Sequence, residues 1–323
     1  MEKYNGFKNY IDYLNATISL KNDFKYQAID LFAGCGGLSL GFEAAGIKTF
    51  GYEMVEDCCN TYKRNLRGDC SCEKLTLETN YPKVDIVIGG PPCQPFSTSG
   101  SHKGKEDERN GFPIYIDAIR KIQPKIFLFE NVRGLVIKHK DYFDSVIKEL
   151  EELGYTVKQF LVNASNYDVP QNRERVICIG TIKGSITLEK KEYKVTAGEA
   201  LLDIIEKEID ETLILTPRMD EYIAAYEKKS CCKVPRDVHY DKPARTLTCR
   251  NLAGSTSDMQ RVVLADGRRQ RLTTHQAARL QSFPDWFVFE GNKGSIYKQI
   301  GNAVPPFLAY NIALKIIKYL EEN

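Results

Sequence analysis

The sequence predicts an α/β fold, a doubly wound and mostly parallel sheet, together with a smaller irregular domain. Over about the first 180 residues, short apolar runs bounded by glycine and proline alternate with helical stretches, which is the pattern of βαβ units. This pattern ends near residue 182, and helical periodicity returns close to the C-terminus. A chain of 323 residues has room for one large domain and one smaller one.

The strands and helices of the first half can be placed from their apolar runs. The predicted strands are, in chain order, YQAIDLFAG, IKTFGYEM, VDIVIGG, KIFLFENV, YTVKQFLVNA and RVICIGTI. The predicted helices are LSLGFEAAG, which ends at Gly46, VEDCCNTYKRNL, and a segment from about Phe143 to Leu153. Such short apolar strands are typical of a parallel sheet covered by helices.

Four segments follow from this pattern. Residues 1–182 form the α/β domain, and residues 183–270, with mixed charge and few long apolar runs, form the irregular domain. Residues 271–300 form a hinge that contains the helical stretch THQAARLQSF. Residues 301–323 contain an amphipathic helix that we expect to pack back on the sheet, which makes the large domain discontinuous.

The composition excludes several classes of protein. No run of about 18 apolar residues is present, so we predict no membrane span, and the N-terminal MEKYNGFKNYIDYLNATISL lacks the apolar core of a signal peptide. Ten cysteines without an export signal indicate free thiols in a reducing cytoplasm. The lack of a C-x-x-C pair, with only four histidines, argues against a zinc site.

The net charge of +2 predicts no particular partner, but the charges are unevenly distributed. Residues 231–280 contain ten Lys/Arg and four Asp/Glu, a net charge of +6. Residues 186–232 contain seven and eleven, a net charge of −4. The basic segment indicates a surface that faces phosphate groups, and an ordinary solvated charged face explains the same charges equally well.

The stretch DLFAGCGGLSLGF places Gly34, Gly36 and Gly37 between a strand and a helix. Glycines there let the backbone approach a ligand at a helix N-terminus. Glu53 ends the next strand, at the spacing of the acid that binds ribose hydroxyls in dinucleotide folds. Because Ser39 stands where the dinucleotide fingerprint requires a third glycine, the turn argues against NAD. A methyltransferase turn and a tight turn that binds nothing both stay open.

A second candidate site is the loop GGPPCQPFSTSG, in which Cys93 follows the carboxyl end of a predicted parallel strand. Ligands and reactive groups of open α/β sheets gather at that edge. Two prolines stiffen the approach, and the Gly- and Ser-rich run after Cys93 could move as a lid. A lone cysteine is usually a small buried hydrophobic residue, but this segment has too many prolines for a core position. We therefore interpret Cys93 as a nucleophile.

Six motifs recur in the order seen in the cytosine carbon-5 DNA methyltransferases, and the chain resembles the prokaryotic restriction-modification members of that family. The motifs are DLFAGCGG, the cysteine loop, Phe129–Val132, Gln171–Val176, RLTTHQAARLQSFPD and Gly301–Val304. The resemblance covers nearly all of residues 30–306. It implies the fold of S-adenosylmethionine-dependent methyltransferases, with residues 1–182 as the catalytic domain and residues 183–270 as the target-recognition domain.

By this resemblance, the reaction is the transfer of a methyl group from S-adenosylmethionine to carbon 5 of cytosine in DNA. Carbon 5 is a weak nucleophile until a thiolate adds to carbon 6 and makes the ring enamine-like. Cys93 matches the family's nucleophile, and Glu130 matches the acid that holds ring nitrogen 3 and the exocyclic amine. Arg173 and Arg175 resemble the arginines that fix the base and its sugar-phosphate.

The resemblance also implies the contacts of the cofactor, S-adenosylmethionine. The glycine turn holds its methionine part, an acid holds the ribose, the residues that follow line the adenine, and a C-terminal asparagine closes the pocket. The implied contacts are Phe32, Ala33, Gly34, Cys35, Gly36, Gly37, Leu38, Glu53, Met54, Asp69, Cys70, Pro92, Asn302 and Ala303. The fifth motif, DERNGFPIYIDAI, departs from the family's usual spacing around Ile114.

A cytosine inside a duplex is closed to a thiol, so this chemistry requires the base to be flipped out. We expect Ser97 and Ser99, in the loop after the nucleophile, to press into the DNA, while the small domain reads the flanking bases, since Arg and Asn side chains pair with guanine and adenine. The candidate contacts there are Arg245, Thr246, Leu247, Arg250 and Asn251. We expect a monomeric enzyme acting on double-stranded DNA, with a separate cognate restriction endonuclease.

Three alternatives stay open on the sequence alone. A tRNA cytosine-5 methyltransferase shares the catalytic motifs, and only the small domain, about 90 residues with a basic second half, favours a reader of duplex DNA. A nicotinamide oxidoreductase would use the glycine turn but leave the cysteine loop unexplained. A non-catalytic DNA-binding regulator predicts a dead site, against the intact Cys93, Glu130, Arg173 and Arg175.

Overall fold

A computed structural model describes residues 3–92, 110–231, 235–253 and 258–323. The central element of these residues is a seven-stranded sheet with the order β3-β2-β1-β4-β5-β7-β6. Its pairs are parallel except those made by β7, which runs antiparallel between β5 and β6. The strands are β1 Tyr26–Leu31, β2 Ile47–Glu53, β3 Cys70–Cys72, β4 Ile86–Gly89, β5 Ile126–Val132, β6 Thr156–Asn163 and β7 Glu174–Thr181.

The strand order reverses at β1, which pairs with β2 on one side and with β4 on the other. Asp30 of β1 lies opposite Gly51 of β2 and opposite Ile88 of β4. At such a switch point the loops that follow the two strands leave in opposite directions and open a crevice at the carboxyl ends. The glycine turn follows β1 and the Pro-Pro segment follows β4, so both lie at this crevice.

Helices cover both faces of the sheet. On β5, Ile126 and Leu128 join a core with α2 and α12, whereas Phe127 and Phe129 join a second core with α4 and α6. Burial on both faces explains why the strands are apolar along their whole length. The helices are α1 Tyr10–Thr17, α2 Gly37–Ala45, α3 Glu56–Asn65, α4 Phe112–Ile122, α5 Arg133–Lys138, α6 Lys140–Glu152, α7 Ala197–Leu201, α8 Pro217–Lys229, α9 Cys249–Ala253, α10 Thr274–Leu280, α11 Lys293–Asn302 and α12 Pro306–Glu322.

The C-terminal helix returns to the α/β core, which confirms the expectation from its amphipathic pattern. α12 packs along α2 at very close range. A Cβ atom added at Gly41 would lie 2.5 Å from the Ala309 Cβ and 2.5 Å from the Pro306 carbonyl oxygen. The contact therefore requires glycine at position 41, and it fixes the C-terminal turn before α12 against the start of α2.

Within the described residues, the stretch Lys293–Glu322 is long and apolar enough to cross a membrane, with a mean hydropathy of 1.2 over its most apolar 18 residues. In the structure, 61% of that window is buried inside the protein. The stretch is also interrupted between Asn302 and Pro306, where α11 ends and α12 begins. Its apolar residues therefore contribute to the protein core.

The predicted irregular domain contains α7, α8, α9 and a two-stranded antiparallel ladder of β8 Arg261–Val263 and β9 Arg269–Arg271. Its first part is not separate from the large domain. Ile186, Ala200 and Leu201 belong to the same core as α1, α2 and α12. Val238, Leu247 and Val262, which come after α7, belong to this core as well, and the boundary at residue 182 stays a prediction.

Each predicted strand contains an observed strand, and α2, α3, α6, α10 and α12 coincide with predicted helical stretches. The patterns missed α1, β3, α4, α5, α7, α8, α9, α11, β8 and β9. Strand β3 has three residues, which is too short for an alternation to be recognised. Helix α4 begins inside the motif with glycine and proline around Phe112, residues that usually indicate a break.

Candidate active site

Four strand ends meet at the crevice. β1 leads into the glycine turn of residues 32–37, β2 ends at Glu53, β4 leads into Pro91 and Pro92, and β5 reaches Glu130 near its end. Because these four strands are parallel, their carboxyl ends lie at the same edge of the sheet. The structure thus brings together the predicted cofactor contacts and the predicted catalytic acid.

The glycine turn has a backbone that requires or favours glycine. Phe32, Gly34 and Gly36 have left-handed backbone, with φ of +61°, +57° and +87°. A Cβ atom at Gly36 would lie 2.5 Å from Leu66 Cδ1 and 2.8 Å from the Tyr62 ring. At Gly34, in contrast, an added Cβ would meet no atom within 4 Å. The surface of Gly34 is therefore open, beside the amide groups at the start of α2, which can bind polar ligand atoms.

Glu53 joins the glycine turn to the start of α3. Its Oε2 accepts a hydrogen bond from the Gly34 amide at 2.9 Å. Its Oε1 accepts from the Met54 amide at 2.8 Å and from the Val55 amide at 2.9 Å. A carboxylate has about four acceptor positions, so Oε2 can still accept a bond from a hydroxyl group. This geometry fits the predicted contact with a ribose.

Asp30 lies buried two residues before the glycine turn. Its Oδ2 accepts from the Ser39 hydroxyl at 2.7 Å, and its Oδ1 has no partner among the described residues. Burial raises the pKa of Asp30 to about 7, although the Ser39 hydrogen bond opposes this shift. Asp30 therefore ties the end of β1 to α2 from the interior through Ser39.

The predicted adenine contacts lie along β2 and β3. Met54 is 66% exposed, Asp69 is exposed and Cys70 is buried. The Asp69 carboxylate accepts from the Cys70 amide at 2.7 Å, and the Asp69 carbonyl accepts from the Gly51 amide at 2.9 Å. Burial raises the pKa of the Cys70 thiol to about 12, so this thiol stays protonated at neutral pH. All three flank the strand that ends at Glu53, which fits a nucleoside beside that acid.

The approach to the cysteine loop is fixed from two sides. The Asn131 Nδ2 donates to the Pro91 carbonyl at 2.9 Å, and the Gly111 amide donates to the Pro92 carbonyl at 2.9 Å. A Cβ atom at Gly111 would lie 2.4 Å from the Pro92 ring. Asn131 therefore positions the chain that leads to the predicted nucleophile. Only its place beside Glu130 in the sequence could have indicated this role. Cys93, Ser97 and Ser99 lie outside the described residues.

Glu130 and Arg175 form an ion pair at the crevice. The Arg175 Nε lies 2.8 Å from the Glu130 Oε1, and each side chain is 12% exposed. The pair bridges antiparallel neighbours, because Glu130 of β5 lies opposite Ile177, two residues after Arg175 on β7. The result is a carboxylate and a guanidinium side by side, a combination that suits a planar base with both donors and acceptors.

Arg173 differs from Arg175 in its surroundings, which corrects the expectation that both arginines face the substrate. Arg173 is 1% exposed. Its Nη1 donates to the Leu247 carbonyl at 2.8 Å, and its Nη2 donates to the carbonyls of Gly301 at 3.2 Å and Ala303 at 3.0 Å. Burial lowers the pKa of Arg173, and the positive charge of Arg175 adds to this effect. A guanidinium held by three backbone carbonyls in the interior joins segments of the protein.

The C-terminal turn carries the last two predicted cofactor contacts. Asn302 is exposed, and its Oδ1 accepts from the Cys249 thiol at 2.9 Å. Ala303 is buried, with its carbonyl occupied by Arg173 and by Gln281, whose Nε2 lies 2.7 Å away. The Cys249 contact was not predicted. It joins the turn to the segment expected to contact DNA.

The candidate DNA contacts fall into two groups. Arg245 and Arg250 are exposed. Leu247 is fully buried, and Asn251 is 4% exposed with its Nδ2 donating to the Thr246 carbonyl at 2.8 Å. The Thr246 hydroxyl donates to the Asn172 carbonyl at 2.6 Å. Contrary to expectation, the side chains of Leu247 and Asn251 hold the segment in place and do not face a base edge, because buried amide groups that are already paired cannot read DNA.

The positive charge of the segment 231–280 is largely used inside the protein. Its arginines pair both with acids of the acidic segment 186–232 and with acids of the basic segment and the residues after it, so much of the positive charge is neutralised by ion pairs. The pairs include Arg261 with Glu227 and Asp237, Arg268 with Glu211, Arg269 with Asp220, and Arg279 with Asp203. The expected phosphate-facing surface is therefore smaller than its charge predicted, and it is reduced to cations such as exposed Arg250.

The ninth motif braces the small domain through α10. Thr273 and Gln276 form a capping box at its start. The His275 Nδ1 lies 2.5 Å from Glu208 Oε1, and its Nε2 lies 3.0 Å from Asp285 Oδ1. Hydrogen bonds to Asp285 and then Glu208 raise the pKa of His275 to about 9. A charged His275 thus ties Glu208 of the acidic segment to Asp285, which follows α10.

A family model for C-5 cytosine-specific DNA methylases matches residues 26–318. The chain belongs to this family. The methylase is 51% identical over 322 residues to the Type II methyltransferase M.AplI of Arthrospira platensis, and the alignment covers 98% of this chain and 92% of the relative. It is 34% identical to the Type II methyltransferase M1.HphI of Haemophilus parahaemolyticus, over 90% of this chain and 86% of the relative. The resemblance found in the six motifs is confirmed, and the enzyme is a DNA cytosine-5 methyltransferase.

Solved structures of methyltransferases share the fold of the methylase. The methyltransferase EhMeth of Entamoeba histolytica aligns with a TM-score of 0.70 and 16% identity, over 93% of this chain and 99% of that one. A DNMT2 variant of Spodoptera frugiperda aligns with a TM-score of 0.68 and 17% identity, over 92% and 100%. At these identities the likeness concerns the fold alone, and it confirms the predicted α/β class with a mostly parallel sheet.

Proposed function

We propose that the methylase modifies a flipped-out cytosine within a short double-stranded DNA sequence through a covalent adduct of Cys93 with carbon 6. The observation that carries this proposal is the Glu130–Arg175 pair, 2.8 Å apart at the carboxyl edge of the sheet. The Pro91–Pro92 segment that leads to Cys93 is fixed at the same edge by Asn131. The acid and the forked donor thus lie at the edge of the sheet where the segment that leads to Cys93 begins.

The protein groups divide the chemistry of the base between them. Cys93 gives up its thiol proton to water, and the resulting thiolate adds to carbon 6. The electron density that this addition drives into the ring is neutralised at ring nitrogen 3 by a proton shared with Glu130, while Arg175 donates to the ring carbonyl oxygen. After carbon 5 has been methylated, its proton passes to water and the carbon–sulfur bond breaks to return the Cys93 thiolate, while the proton on ring nitrogen 3 returns to Glu130.

The crevice beside this site has the features that S-adenosylmethionine requires. When bound, this cofactor supplies an electrophilic methyl group on a sulfonium sulfur, which becomes a neutral thioether once the methyl group has left. Glu53 would hold the ribose hydroxyls, and the open turn at Gly34 would take the methionine part. Met54, Asp69 and Cys70 would line the adenine.

The DNA side of the proposal rests on exposed cations next to the same crevice. Arg245 and Arg250 project from the segment that Arg173 and Gln171 hold at Leu247. We assign phosphate or base-edge contacts to these two arginines and a supporting role to the buried residues between them. Flipping follows from the chemistry, since carbon 6 of a stacked cytosine is closed to a thiol. We expect the enzyme to act as a monomer.

The relatives named Type II methyltransferases support a role in restriction-modification. We propose that methylation protects the DNA of the source cell from a separate cognate endonuclease. The eight cysteines among the described residues are free thiols, which fits a reducing cytoplasm. The proposal for the cell would fail if its genome carried no methylated cytosine at the site that the purified enzyme modifies.

The test is methyl transfer from labelled S-adenosylmethionine to unmethylated genomic DNA and, separately, to tRNA, followed by bisulfite sequencing. We expect label in DNA at one short motif, and loss of label in the Cys93→Ala variant. Label confined to tRNA would keep the chemistry and overturn the substrate. Label in DNA that survives in Cys93→Ala would overturn the covalent mechanism.

A further inference from the structure

A closed ring of hydrogen bonds lies between the crevice and the DNA-facing segment. The Leu247 amide donates to the Gln171 Oε1 at 2.8 Å, and the Gln171 Nε2 donates to the Gln281 Oε1 at 2.5 Å. The Gln281 Nε2 donates to the Ala303 carbonyl at 2.7 Å. Arg173 completes the ring, because it donates to the same Ala303 carbonyl at 3.0 Å and to the Leu247 carbonyl at 2.8 Å.

The ring is inaccessible to water. Gln171 and Gln281 are 0% exposed and Arg173 is 1% exposed. Each amide can point in only one direction, because its oxygen must face a donor and its nitrogen must face a carbonyl. If one member moved alone, a buried polar group would lose its partner, which costs far more than an exposed hydrogen bond does. The ring therefore favours one relative position of the segments that it joins.

Those two segments are also in direct contact. A Cβ atom at Gly301 would lie 2.5 Å from the Cys249 amide nitrogen, so α11 and α9 touch backbone to backbone at that point. The Cys249 thiol donates to the Asn302 Oδ1 at 2.9 Å. One segment, residues 245–250, carries the exposed arginines assigned to DNA. The other, residues 301–303, carries the cofactor contacts Asn302 and Ala303.

We infer that Gln281 is a positioning residue that locks the DNA-facing segment and the cofactor-side turn into one unit, so that binding of DNA and binding of the cofactor strengthen each other. The inference rests on the proposed function, which places DNA at one segment and cofactor at the other. Gln281 contacts neither ligand. It acts through the Ala303 carbonyl and through Gln171, and any coupling must be reciprocal between the two ligands.

The experiment measures the dissociation constant of S-adenosylhomocysteine by calorimetry, with and without a duplex that carries the methylation site mapped by bisulfite sequencing. For the wild-type enzyme we expect DNA to tighten this binding about tenfold, within the range of about 5- to 150-fold that is usual for coupled sites. In Gln281→Met, which keeps the side-chain volume but removes both hydrogen-bonding groups, we expect the factor to fall below about threefold.

The matched control is Gln276→Met in α10, the helix that ends one residue before Gln281. Gln276 is also 0% exposed, but its Oε1 accepts only from the nearby Thr273 amide at 3.1 Å, outside the ring. We expect a loss of stability in both variants and a loss of coupling in Gln281→Met alone. If Gln281→Met does not fold, Cys249→Ala, which removes the contact with Asn302 at a partly exposed position, carries the test and should lower the coupling.

Two results would overturn the inference. One is a wild-type enzyme that binds the two ligands independently, and the other is a folded Gln281→Met variant with the wild-type coupling factor. In either case methyl transfer to DNA by the wild-type enzyme would leave the proposed function standing. Absence of that transfer is the separate outcome that removes the proposed function.

Discussion

The Nε of Arg175 lies 2.8 Å from the Oε1 of Glu130, across neighbouring antiparallel strands. β7 is the antiparallel strand of the sheet, and its direction brings Arg175 near the start of the strand next to Glu130 near the end of β5. In a parallel pair, both side chains could not have reached this edge from those positions. The reversal of β7 thus completes the candidate site.

We predict that Glu130→Gln lowers the rate of methyl transfer by about 10²- to 10⁴-fold, because an amide cannot share an acidic proton with ring nitrogen 3. The measurement is single-turnover transfer of labelled methyl groups to DNA. The matched control is Glu174→Gln on β7, which removes an exposed carboxylate paired with Arg133 and should leave the rate unchanged. A Glu130→Gln rate close to that of the wild type would contradict the assigned role.

We predict that Glu53→Gln weakens the binding of S-adenosylhomocysteine by about 10- to 100-fold. The glutamine side chain has a single oxygen, which can accept from the backbone amide of Gly34 or from those of Met54 and Val55. It cannot accept from both sides, as the two oxygens of the Glu53 carboxylate do. The measurement is calorimetric titration. Glu56→Gln, an exposed residue at the start of α3, is the control and should bind normally. Equal affinity in both variants would refute the contact with the ribose.

We predict that Gly41→Ala destabilises the fold by about 1–3 kcal/mol, because a methyl group there collides with the backbone of α12 at 2.5 Å. Urea unfolding provides the measurement. Gly134→Ala in α5 is the control, since an added Cβ there meets no atom within 4 Å and alanine favours a helix. We expect that variant to be neutral or slightly more stable. A similar loss in both variants would show that the α2–α12 contact is not the cause.

The stability of the enzyme should depend on the charge of His275. Its pKa rises from 6.5 in the unfolded chain to about 9 in the folded protein, so the folded state binds the proton more tightly. The stabilisation is complete below about pH 6.5 and is lost as the pH rises through 9. Because the side chain is 38% exposed, we expect solvent screening to limit the effect to about 1 kcal/mol.

The measurement for His275 is the urea midpoint at several pH values between 6 and 10. His275→Gln should remove most of the decline over this range. Asp285→Asn removes the partner that contributes most to the pKa shift of His275. In a protein that already carries Asp285→Asn, the further substitution His275→Gln should therefore change the decline of the urea midpoint little. Additive effects of the two substitutions would show that the ion pair is not responsible.

The logarithm of the DNA-binding constant falls linearly with the logarithm of the salt concentration. We predict that Arg250→Ala makes the slope of this line shallower by about one, as expected when one phosphate contact is lost. Arg268→Ala is the control, because Arg268 is equally part of the basic segment but pairs with Asp266 and Glu211. The measurement is the binding constant for DNA across a series of salt concentrations. Equal slopes for wild type and Arg250→Ala would remove Arg250 from the DNA surface.

The elements of the sheet could be predicted because each apolar run reports burial on both faces, and the fold class followed from their order. The same reasoning could not separate Arg173 from Arg175. The two residues have the same chemistry and lie two positions apart on one strand. Only the neighbouring segments decide that Arg173 meets three carbonyls in the interior while Arg175 meets Glu130 at the crevice.

The basic segment shows the same limit. A count of charges along the chain indicates a phosphate-facing surface, but Arg261 lies 0% exposed between Glu227 and Asp237. Ion pairing joins residues that are 24 to 34 positions apart, so it cannot be recognised from local charge. Leu247 and Asn251 were likewise expected at the DNA and instead pack inside, because their positions depend on contacts with Gln171 and with the α9 capping residues.

The sequence by itself determined the family, the fold class and the chemistry at the crevice, because the glycine turn, the cysteine loop and the Glu-Asn-Val motif need particular residue types that few other structures use. The tertiary structure decided which of those side chains reach the crevice and which hold the protein together. The ring through Gln171, Arg173 and Gln281 was invisible in the sequence, since Arg173 and Gln171 bind backbone groups about 75 to 130 positions away and Gln281 binds a carbonyl 22 positions away. Backbone amides and carbonyls are the same at every residue, and only the fold places them.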